Sequence, residues 1–330
     1  AVLSPGEVEG LLDTVRALAS RGAAVLFVSH KLDEVFAVAD RVTVLRRGAV
    51  TLSKPIQETT VAEVARAVVG GDLPQEVSAG ASNTRGETVA LELADVSAPG
   101  LDRVSLTLRA GEVVGVAGVE GNGQRALAEV IAGVRPVSAG VLQLAGEAIT
   151  GASVASRRAA GFGWGPGDRE GRGLLSELSV AESVALGDPA NASRGGRFDR
   201  RAAEAAGRAL IERYKVQPPD PWAPVGSLSG GNQQKVLLGR ELARELVALV
   251  VAQPTRGVDL GASAEIHRAI REAAARGAAV LVISSELDEL RRLSHRVVVM
   301  RRGAIVGDVP VAEASDASLG ALMVGGGDSR

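Results

Sequence analysis

The chain has no cysteine. Disulfides, thiolate metal sites and thiol nucleophiles are therefore all excluded. Its apolar runs are far shorter than the roughly 18 to 20 residues that a membrane-spanning helix needs. The first residues, Ala1 to Pro5, lack the basic stretch and following apolar stretch of a signal peptide, and they do not begin with methionine. We expect this terminus to be a cut end.

Excess charge of either sign is also missing, since the formal net charge is -2 at pH 7. A face that binds DNA or RNA needs a clustered excess of Lys and Arg, so nucleic acid is not an expected partner. Lysines able to bind phosphate are scarce. The chain has only Lys31, Lys54, Lys215 and Lys235. The length of 330 residues, of which 46% are hydrophobic, predicts one large globular domain plus part of another.

An internal repeat organises the sequence. Residues 21–49 recur at an offset of 255 as residues 276–304, with 17 of 29 positions identical and no gap. We therefore predict two copies of one domain, the first of which lacks everything upstream of its last part. Residues 72–88 are rich in Gly, Ser and Pro and have no periodicity, as is typical of a linker. The predicted domains are a C-terminal remnant over 1–71, a linker over 72–88 and a second domain over 89–330.

The second copy has the pattern of a doubly wound sheet. Val113 to Ala117 is a short apolar run, followed by a glycine-rich turn and a helical pattern from Gly123 to Gly133. Two further apolar runs, Leu246 to Val251 and Ala279 to Ile283, are typical of buried parallel strands. Helical patterns at 201–215 and 233–245 separate the strands. An α/β fold with a helical insertion is predicted.

The turn after the first strand has the context of a phosphate-binding loop. Its glycines let the backbone approach phosphate, and the following helix offers free N–H groups and the positive end of its dipole. A tight structural turn is the alternative. Working loops continue with Lys and then with Ser or Thr, whose hydroxyl holds Mg²⁺, but those two places are Gln124 and Arg125 here. The predicted nucleotide-binding residues of the loop are Gly118, Gly121, Asn122, Gly123, Gln124 and Arg125.

A second motif, Leu228 to Lys235, reads LSGGNQQK. It is similar to the signature loop of ABC ATPases, in which a helix N-terminus faces the γ-phosphate bound to an opposing domain. With the glycine loop, it makes the chain resemble the ATP-binding subunits of bacterial ABC importers for simple sugars and nucleosides. These subunits have two fused nucleotide-binding domains. The resemblance implies a P-loop NTPase fold of the ABC type, with a mostly parallel sheet and a helical subdomain, and a signature loop of Ser229, Gly230, Gly231, Asn232 and Gln233.

The family's catalytic positions are altered in the second copy. Its strand normally ends in Asp, which supports Mg²⁺, and Glu, which orients the attacking water, but Ala252 and Gln253 stand there. The switch histidine is replaced by Ser285, whereas the first copy keeps His30 at that place. Asp259 matches the D-loop. His267 and His295 have no such match, and we predict that both are helix or surface residues.

One further segment resembles the family weakly, and one feature of the family is missing. Gly165 to Arg169, followed by Gly171 to Leu174, is similar to a family segment that faces the membrane subunits, with Gly167 in place of the usual Glu. A plain surface loop is the alternative. No aromatic residue lies between Val89 and Val113, where the family often stacks one on adenine. We therefore expect poor recognition of the base.

Together the resemblance implies an energy-coupling subunit with one disabled and one preserved site. Gln124, Arg125, Ala252, Gln253 and Ser285 belong to the disabled site, which is expected to bind ATP weakly without hydrolysis. Implied cofactors are ATP and Mg²⁺. Implied partners are two multi-span permease subunits, a second copy of the subunit and, indirectly, a substrate-binding lipoprotein, at the cytoplasmic face of the membrane. The loop pattern is closest to nucleoside-type importers. A soluble nucleotide-sensing module and an inactive truncated product are the alternatives.

Overall fold

The computed structural model describes residues 5–29, 31–46, 48–70, 86–189, 191–194 and 196–325. The chain divides into two compact units, residues 1–76 with 259–264 and residues 77–258 with 265–330. Most of the predicted linker, and His30, lie outside the described residues. No helix in the described ranges is both long and apolar enough to cross a membrane.

The first unit is a small α/β arrangement. Its two strands form an antiparallel hairpin, in which alternate residues Val42 and Val44 are buried. They pack with Val35 and Val64 from two of the helices. The elements are α1 (Pro5–Ser20), α2 (Leu32–Val38), β1 (Arg41–Arg46), β2 (Ala49–Pro55), a 3₁₀ turn (Ile56–Glu58) and α3 (Val61–Val69).

The second unit begins with an antiparallel layer and the first strand of the main sheet. The antiparallel sheet has four strands in the order β4-β3-β6-β7. Between its strands the chain forms β5 and the helix that follows the glycine loop. These elements are β3 (Val89–Ala98), β4 (Leu101–Arg109), β5 (Val113–Ala117), α4 (Gln124–Ala132), β6 (Ala139–Leu144), β7 (Glu147–Ala148) and α5 (Val154–Ala159).

A strand, a small hairpin and three helices follow. Helices α6, α7 and α8 pack on one another and form the predicted helical subdomain. A π-helical turn (Arg169–Gly173) precedes them. The elements are β8 (Phe162–Gly165), α6 (Val180–Gly187), β9 (Ser193–Arg194), β10 (Arg197–Phe198), α7 (Arg200–Tyr214) and α8 (Gly230–Leu242).

The main sheet has six strands in the order β14-β13-β5-β12-β11-β8. Five are mutually parallel, and β14 pairs antiparallel with β13 at the edge. The predicted mostly parallel sheet is confirmed. The remaining elements are β11 (Ala248–Ala252), α9 (Leu260–Ala275), β12 (Ala279–Ile283), α10 (Leu287–Leu293), β13 (Arg296–Arg301), β14 (Ala304–Pro310), a 3₁₀ turn (Val311–Glu313) and α11 (Asp316–Val324).

Some element ends differ from the predictions for local reasons. The helix predicted from 233 begins at Gly230 because the Ser229 side chain accepts the Asn232 N–H and caps it three residues earlier. It ends at Leu242, before the predicted residue 245. The strand predicted from Leu246 begins at Ala248. The helix predicted from Gly123 to Gly133 is α4, and both glycines cap it with positive φ angles.

The repeat extends to the secondary structure. Each described helix and strand of the first unit has a counterpart in the second whose first and last residues lie 255 positions later. Both hairpins even shift register at the same place, after Val44 and after Val299. The exception is β12. Its counterpart, residues 24–28, is not a strand, and Leu26 and Val28 are 92% and 88% exposed there.

Helix α4 is anchored at its C-terminus by a buried guanidinium. Arg157 is 2% exposed and donates to the carbonyls of Val130 and Ile131, both at 2.7 Å. It also donates to the carbonyls of Ala152 and Thr150. Carbonyls in the last turn of a helix have no partner within the helix, and a cation there also complements the helix dipole. Arg157 therefore fixes the far end of the helix that begins at the glycine loop.

We predict that Arg157→Met lowers the free energy of unfolding by about 2 to 4 kcal/mol, because buried carbonyls lose charge-assisted hydrogen bonds. Urea unfolding followed by circular dichroism measures the change. Arg208→Met is the matched control, since Arg208 lies on α7, is 62% exposed and bonds Glu204. Its cost is expected to stay below about 0.5 kcal/mol. Equal effects of the two changes would contradict the anchoring role.

Candidate nucleotide site

The glycine loop joins β5 to α4 in the conformation that close backbone approach requires. Gly121 and Gly123 have φ angles of 94° and 107°, which favour glycine. A Cβ on Gly123 would lie 2.9 Å from the carbonyl oxygen of Gly100 and from the Cα of Gly303. A Cβ on Gly118 would lie 2.7 Å from the carbonyl oxygen of Met300. The loop is therefore packed tightly against the β3–β4 and β13–β14 turns.

Gln124 closes the loop where a lysine would reach phosphate. Its side chain is buried, and Nε2 donates to the carbonyl oxygen of Val119 at 3.1 Å. A carboxamide is neutral, so it maintains the loop through a hydrogen bond and adds no positive charge. The loop keeps its shape without the charge that draws β- and γ-phosphates.

Asn122 has a structural task in this loop. Its Oδ1 accepts the Arg302 N–H at 2.9 Å, and its carbonyl accepts the Gly303 N–H at 3.0 Å. These bonds tie the loop to the turn between β13 and β14. The Asn122 side chain is thus directed at the protein, and its backbone N–H donates to the Val119 carbonyl at 3.1 Å. Its predicted contact with nucleotide stays a prediction.

Arg125 is the second residue of α4, and its side chain is 68% exposed. Its Nε bonds Glu129 Oε1 at 2.8 Å. The same oxygen accepts Arg172 at 2.6 Å, while Oε2 accepts two nitrogens of Arg135. Three guanidinium groups thus converge on one carboxylate whose side chain is 7% exposed. We call Glu129 with Arg125, Arg135 and Arg172 the arginine cluster.

The protonation state of Glu129 depends on its burial and on the arginines around it. Burial raises the pKa of Glu129, but hydrogen bonds from Arg135 and Arg125 lower it, and the net pKa is below the ordinary value. The carboxylate is ionised at neutral pH. Sequence reasoning missed Glu129 and Arg135, and it placed Arg172 in the segment that resembles one facing the membrane subunits. The spacing of four residues between Arg125 and Glu129 was a usable signal, whereas Arg172 lies 43 residues away.

The substituted catalytic positions bond each other. Gln253 Oε1 accepts both the Ser285 hydroxyl, at 3.2 Å, and the Ser285 N–H, at 3.3 Å. Ala252 is the last residue of β11 and pairs in register with Ile283 of β12. The structure therefore brings Gln253 and Ser285 together at the carboxyl ends of neighbouring strands, where ligands bind in such sheets. Neither residue carries a charge, and Ala252 has no polar side chain.

The signature loop forms a free helix start. Ser229 is exposed and caps α8, and its hydroxyl also accepts Asn232 Nδ2 at 2.9 Å. Gln233 is buried, and its side chain donates to the Val225 carbonyl. Gly230 leaves room for Arg169, since a Cβ there would lie 2.9 Å from the Arg169 guanidinium. Gly231 is buried. The first turn of α8 therefore begins at an exposed cap, and the positive end of the helix dipole lies there.

Three further predictions concern single residues. The Asp259 side chain accepts the Ala262 N–H and caps α9. His267 lies on α9 as predicted, and its Nε2 is 2.8 Å from Glu289. The prediction for His295 is wrong. It lies between α10 and β13, its Nδ1 accepts the Val113 N–H, and its Nε2 is buried. This histidine directly precedes β13 and bonds the backbone of the first residue of β5.

The site does not fit a magnesium ion in the usual way. Mg²⁺ prefers oxygen ligands from a loop hydroxyl and a strand-end carboxylate, and these two places hold Arg125 and Ala252. A guanidinium is not a metal ligand, and an alanine methyl cannot coordinate. Within the described ranges, no group of three or more His, Cys, Asp or Glu residues has metal-binding geometry.

Comparison with known proteins identifies the domain. Residues 101–256 match the family model described as ABC transporter. This domain belongs to the ABC transporter family. The second unit has the fold of its ATP-binding cassettes. A solved cassette, MJ1267 of an ABC transporter, has a TM-score of 0.61 and 23% identity, and covers 72% of this chain and 98% of its own.

Curated relatives align with the cassette and also with the first unit. The nucleoside import ATP-binding protein NupA of Lactococcus lactis is 38% identical over 99% of this chain. The ribose import ATP-binding protein RbsA 2 of Streptomyces avermitilis is 37% identical over 98%. The glucose import ATP-binding protein TsgD13 of Haloferax volcanii is 39% identical over 100%. The chain spans 66%, 64% and 61% of the lengths of these three relatives.

We predict that Gly123→Ala destabilises the cassette by more than about 2 kcal/mol, because a positive φ and a steric clash add together. Gly121→Ala is the matched control. Gly121 also has a positive φ, but nothing lies within 4 Å of a Cβ there, so a cost of about 1 kcal/mol is expected. Denaturant unfolding of both variants measures the difference. A larger loss for Gly121→Ala would show that the loop is packed differently.

Proposed function

We propose that the chain is an ATP-binding, energy-coupling part of an ABC importer for nucleosides or simple sugars. The support is the cassette fold together with relatives named for the import of nucleosides, ribose and glucose, each aligned over nearly all of this chain. Such a subunit converts the binding and hydrolysis of ATP into the movement of membrane partners. The transported compound is recognised by those partners.

Residues 1–71 form the C-terminal part of a first nucleotide-binding domain in this proposal, 72–88 a linker and 89–330 the second domain. Supporting this are the helices and strands that recur 255 positions later. Leu26 and Val28 are exposed where the second copy has β12, which lies between β5 and β11. The residues 255 positions later are buried in the second copy. Strands of a complete first domain would therefore cover Leu26 and Val28 in the same way. The greater length of the relatives agrees with this.

The second domain's own site is non-hydrolytic in this proposal. The observation that carries it is the pairing of Gln253 with Ser285 beside Ala252. A carboxamide orients a water but accepts no proton, and Gln124 adds no charge to phosphate. The glycine loop and the start of α4 still offer backbone N–H groups to an anion. Weak binding of ATP without turnover follows.

The signature loop serves a different site. Ser229 is exposed at the start of the 13-residue helix α8, and a helix N-terminus is a favourable place for an anion. We propose that Ser229 to Gln233 complete a site on an opposing first domain, to which His30 contributes the switch histidine and beside which Asp259 crosses. The solved cassette MJ0796 is described as dimeric and bound to ADP and Pi, with a TM-score of 0.59. A second copy of the subunit supplies the opposing domain.

Membrane partners complete the proposal. Two multi-span permease subunits would contact the segment from Gly165 to Leu174, and a substrate-binding lipoprotein would deliver the compound from outside. Near this segment Leu175 is 57% exposed, and Asp168 caps the π-helical turn by accepting the Gly171 N–H. The proposal places the contact at this exposed leucine, which follows the capped turn. The subunit would then lie at the cytoplasmic face of the membrane.

We predict no phosphate release above the uncatalysed background when the purified chain is given ATP and Mg²⁺, because no carboxylate stands at 252 or 253. A coupled phosphate assay measures it, beside fluorescence titration with an ATP analogue. Gln253→Ala is measured beside the parent chain, since activity that it leaves unchanged does not depend on Gln253. Turnover that disappears in Gln253→Ala would mean that Gln253 supports catalysis, contrary to the proposal.

We also predict that the tagged chain, purified from solubilised membranes of its source, brings multi-span subunits with it. Leu175→Asp should reduce their recovery, because a charge replaces an exposed apolar contact. Phe198→Asp is matched, since Phe198 is 52% exposed on the β9–β10 hairpin. Mass spectrometry identifies the subunits. Recovery of no multi-span protein would favour a soluble nucleotide-sensing module.

A further inference from the structure

A site without the usual magnesium ligands must balance the charge of a bound nucleotide in another way. A bound triphosphate carries about four negative charges that a phosphate-loop ATPase normally balances with lysine and Mg²⁺. Gln124 and Ala252 remove both of those contributions. The positive side chain in the first turn of α4 is Arg125, which stands at the place of the metal-binding hydroxyl and is 68% exposed. We infer that the Arg125 guanidinium takes the place of Mg²⁺, so that this site binds nucleotide without the metal.

The arginine cluster lets Arg125 move at low cost. Removing a partner from a buried carboxylate is normally expensive, because an uncompensated charge is left behind. Glu129 keeps Arg172 on Oε1 at 2.6 Å and Arg135 on Oε2 at 2.6 Å when Arg125 leaves. Oε1 is shared by Arg125 and Arg172, so it is not orphaned by the departure. Arg125 is thus a held but releasable cation beside the phosphate loop.

The chemistry of a guanidinium suits the task. Its planar fork donates two parallel hydrogen bonds to phosphate oxygens and stays charged at any physiological pH. It neutralises one charge, whereas the metal neutralises two. Free ATP, without bound Mg²⁺, carries the greater negative charge and is therefore the preferred form. The inference rests on the proposed nucleotide binding and adds which form of the nucleotide is bound.

The test is titration of the chain with a fluorescent ATP analogue in EDTA and in excess Mg²⁺, at equal ionic strength. Affinity in EDTA should equal or exceed affinity in Mg²⁺. Arg125→Ala should weaken binding of the triphosphate roughly ten- to hundredfold, the effect of losing one charge-assisted contact. Arg208→Ala is the matched control, because Arg208 is 62% exposed and bonds a glutamate four residues away. It removes the same charge and should leave the affinity unchanged.

A second variant restores the metal's ligands. Arg125→Ser together with Ala252→Asp returns a hydroxyl at the helix start and a carboxylate at the strand end. Binding by this variant should increase on adding Mg²⁺, the reverse of the parent chain. Thermal unfolding of each variant verifies that the fold is retained.

The outcomes separate the two claims. If the parent chain binds the analogue about tenfold more tightly with Mg²⁺ than with EDTA, or if Arg125→Ala binds as the parent does, the metal replacement is wrong while nucleotide binding stands. If neither form of the nucleotide binds the parent chain, the proposed nucleotide site is wrong and the inference is overturned with it.

Discussion

The position of α4 is the constraint on which the rest of the cassette depends. This helix carries the glycine loop at one end, the Arg157 guanidinium at the other and Glu129 in between. Its buried residues, such as Leu127 and Ile131, share one core with both sheets. A helix fixed at both ends cannot slide along its axis, so its first N–H groups hold a set distance from the strand ends. The polar side chains at the strand ends therefore lie at fixed distances from the start of α4.

The residues that stand at the altered family positions are held by hydrogen bonds. Gln124 satisfies the Val119 carbonyl, and Gln253 satisfies Ser285. Each neutral amide makes a hydrogen bond at its position. In the proposed function the site therefore keeps the outline of a phosphate loop without the lysine and carboxylates of a hydrolytic site. Neutral hydrogen bonds hold the loop and the strand ends, so the shape of the site does not require charged side chains.

Much of this organisation is predictable from sequence, since it follows from local patterns. The strand, glycine loop and helix from Val113 onward come from an apolar run followed by a turn, and the repeat at 255 predicts α10 and β13 from their counterparts. The arginine cluster is not predictable, because Arg172 reaches Glu129 only through the packing of a π-helical turn. His295 was misjudged for the same reason, as its partner Val113 is 182 residues away. Long-range polar contacts depend on the assembled core.

Gln253 holds a φ angle of 50°, a left-handed conformation that side chains other than glycine seldom adopt. Its N–H nevertheless donates to the Ile283 carbonyl at 2.6 Å, so the neighbouring strand enforces the unusual backbone. A conformation that costs energy and is imposed by the scaffold does not depend on the chemistry of the side chain it carries. The difference between an amide and a carboxylate at this position is a single atom. Evolution can therefore turn such a site off, or on again, without rebuilding the main chain around it.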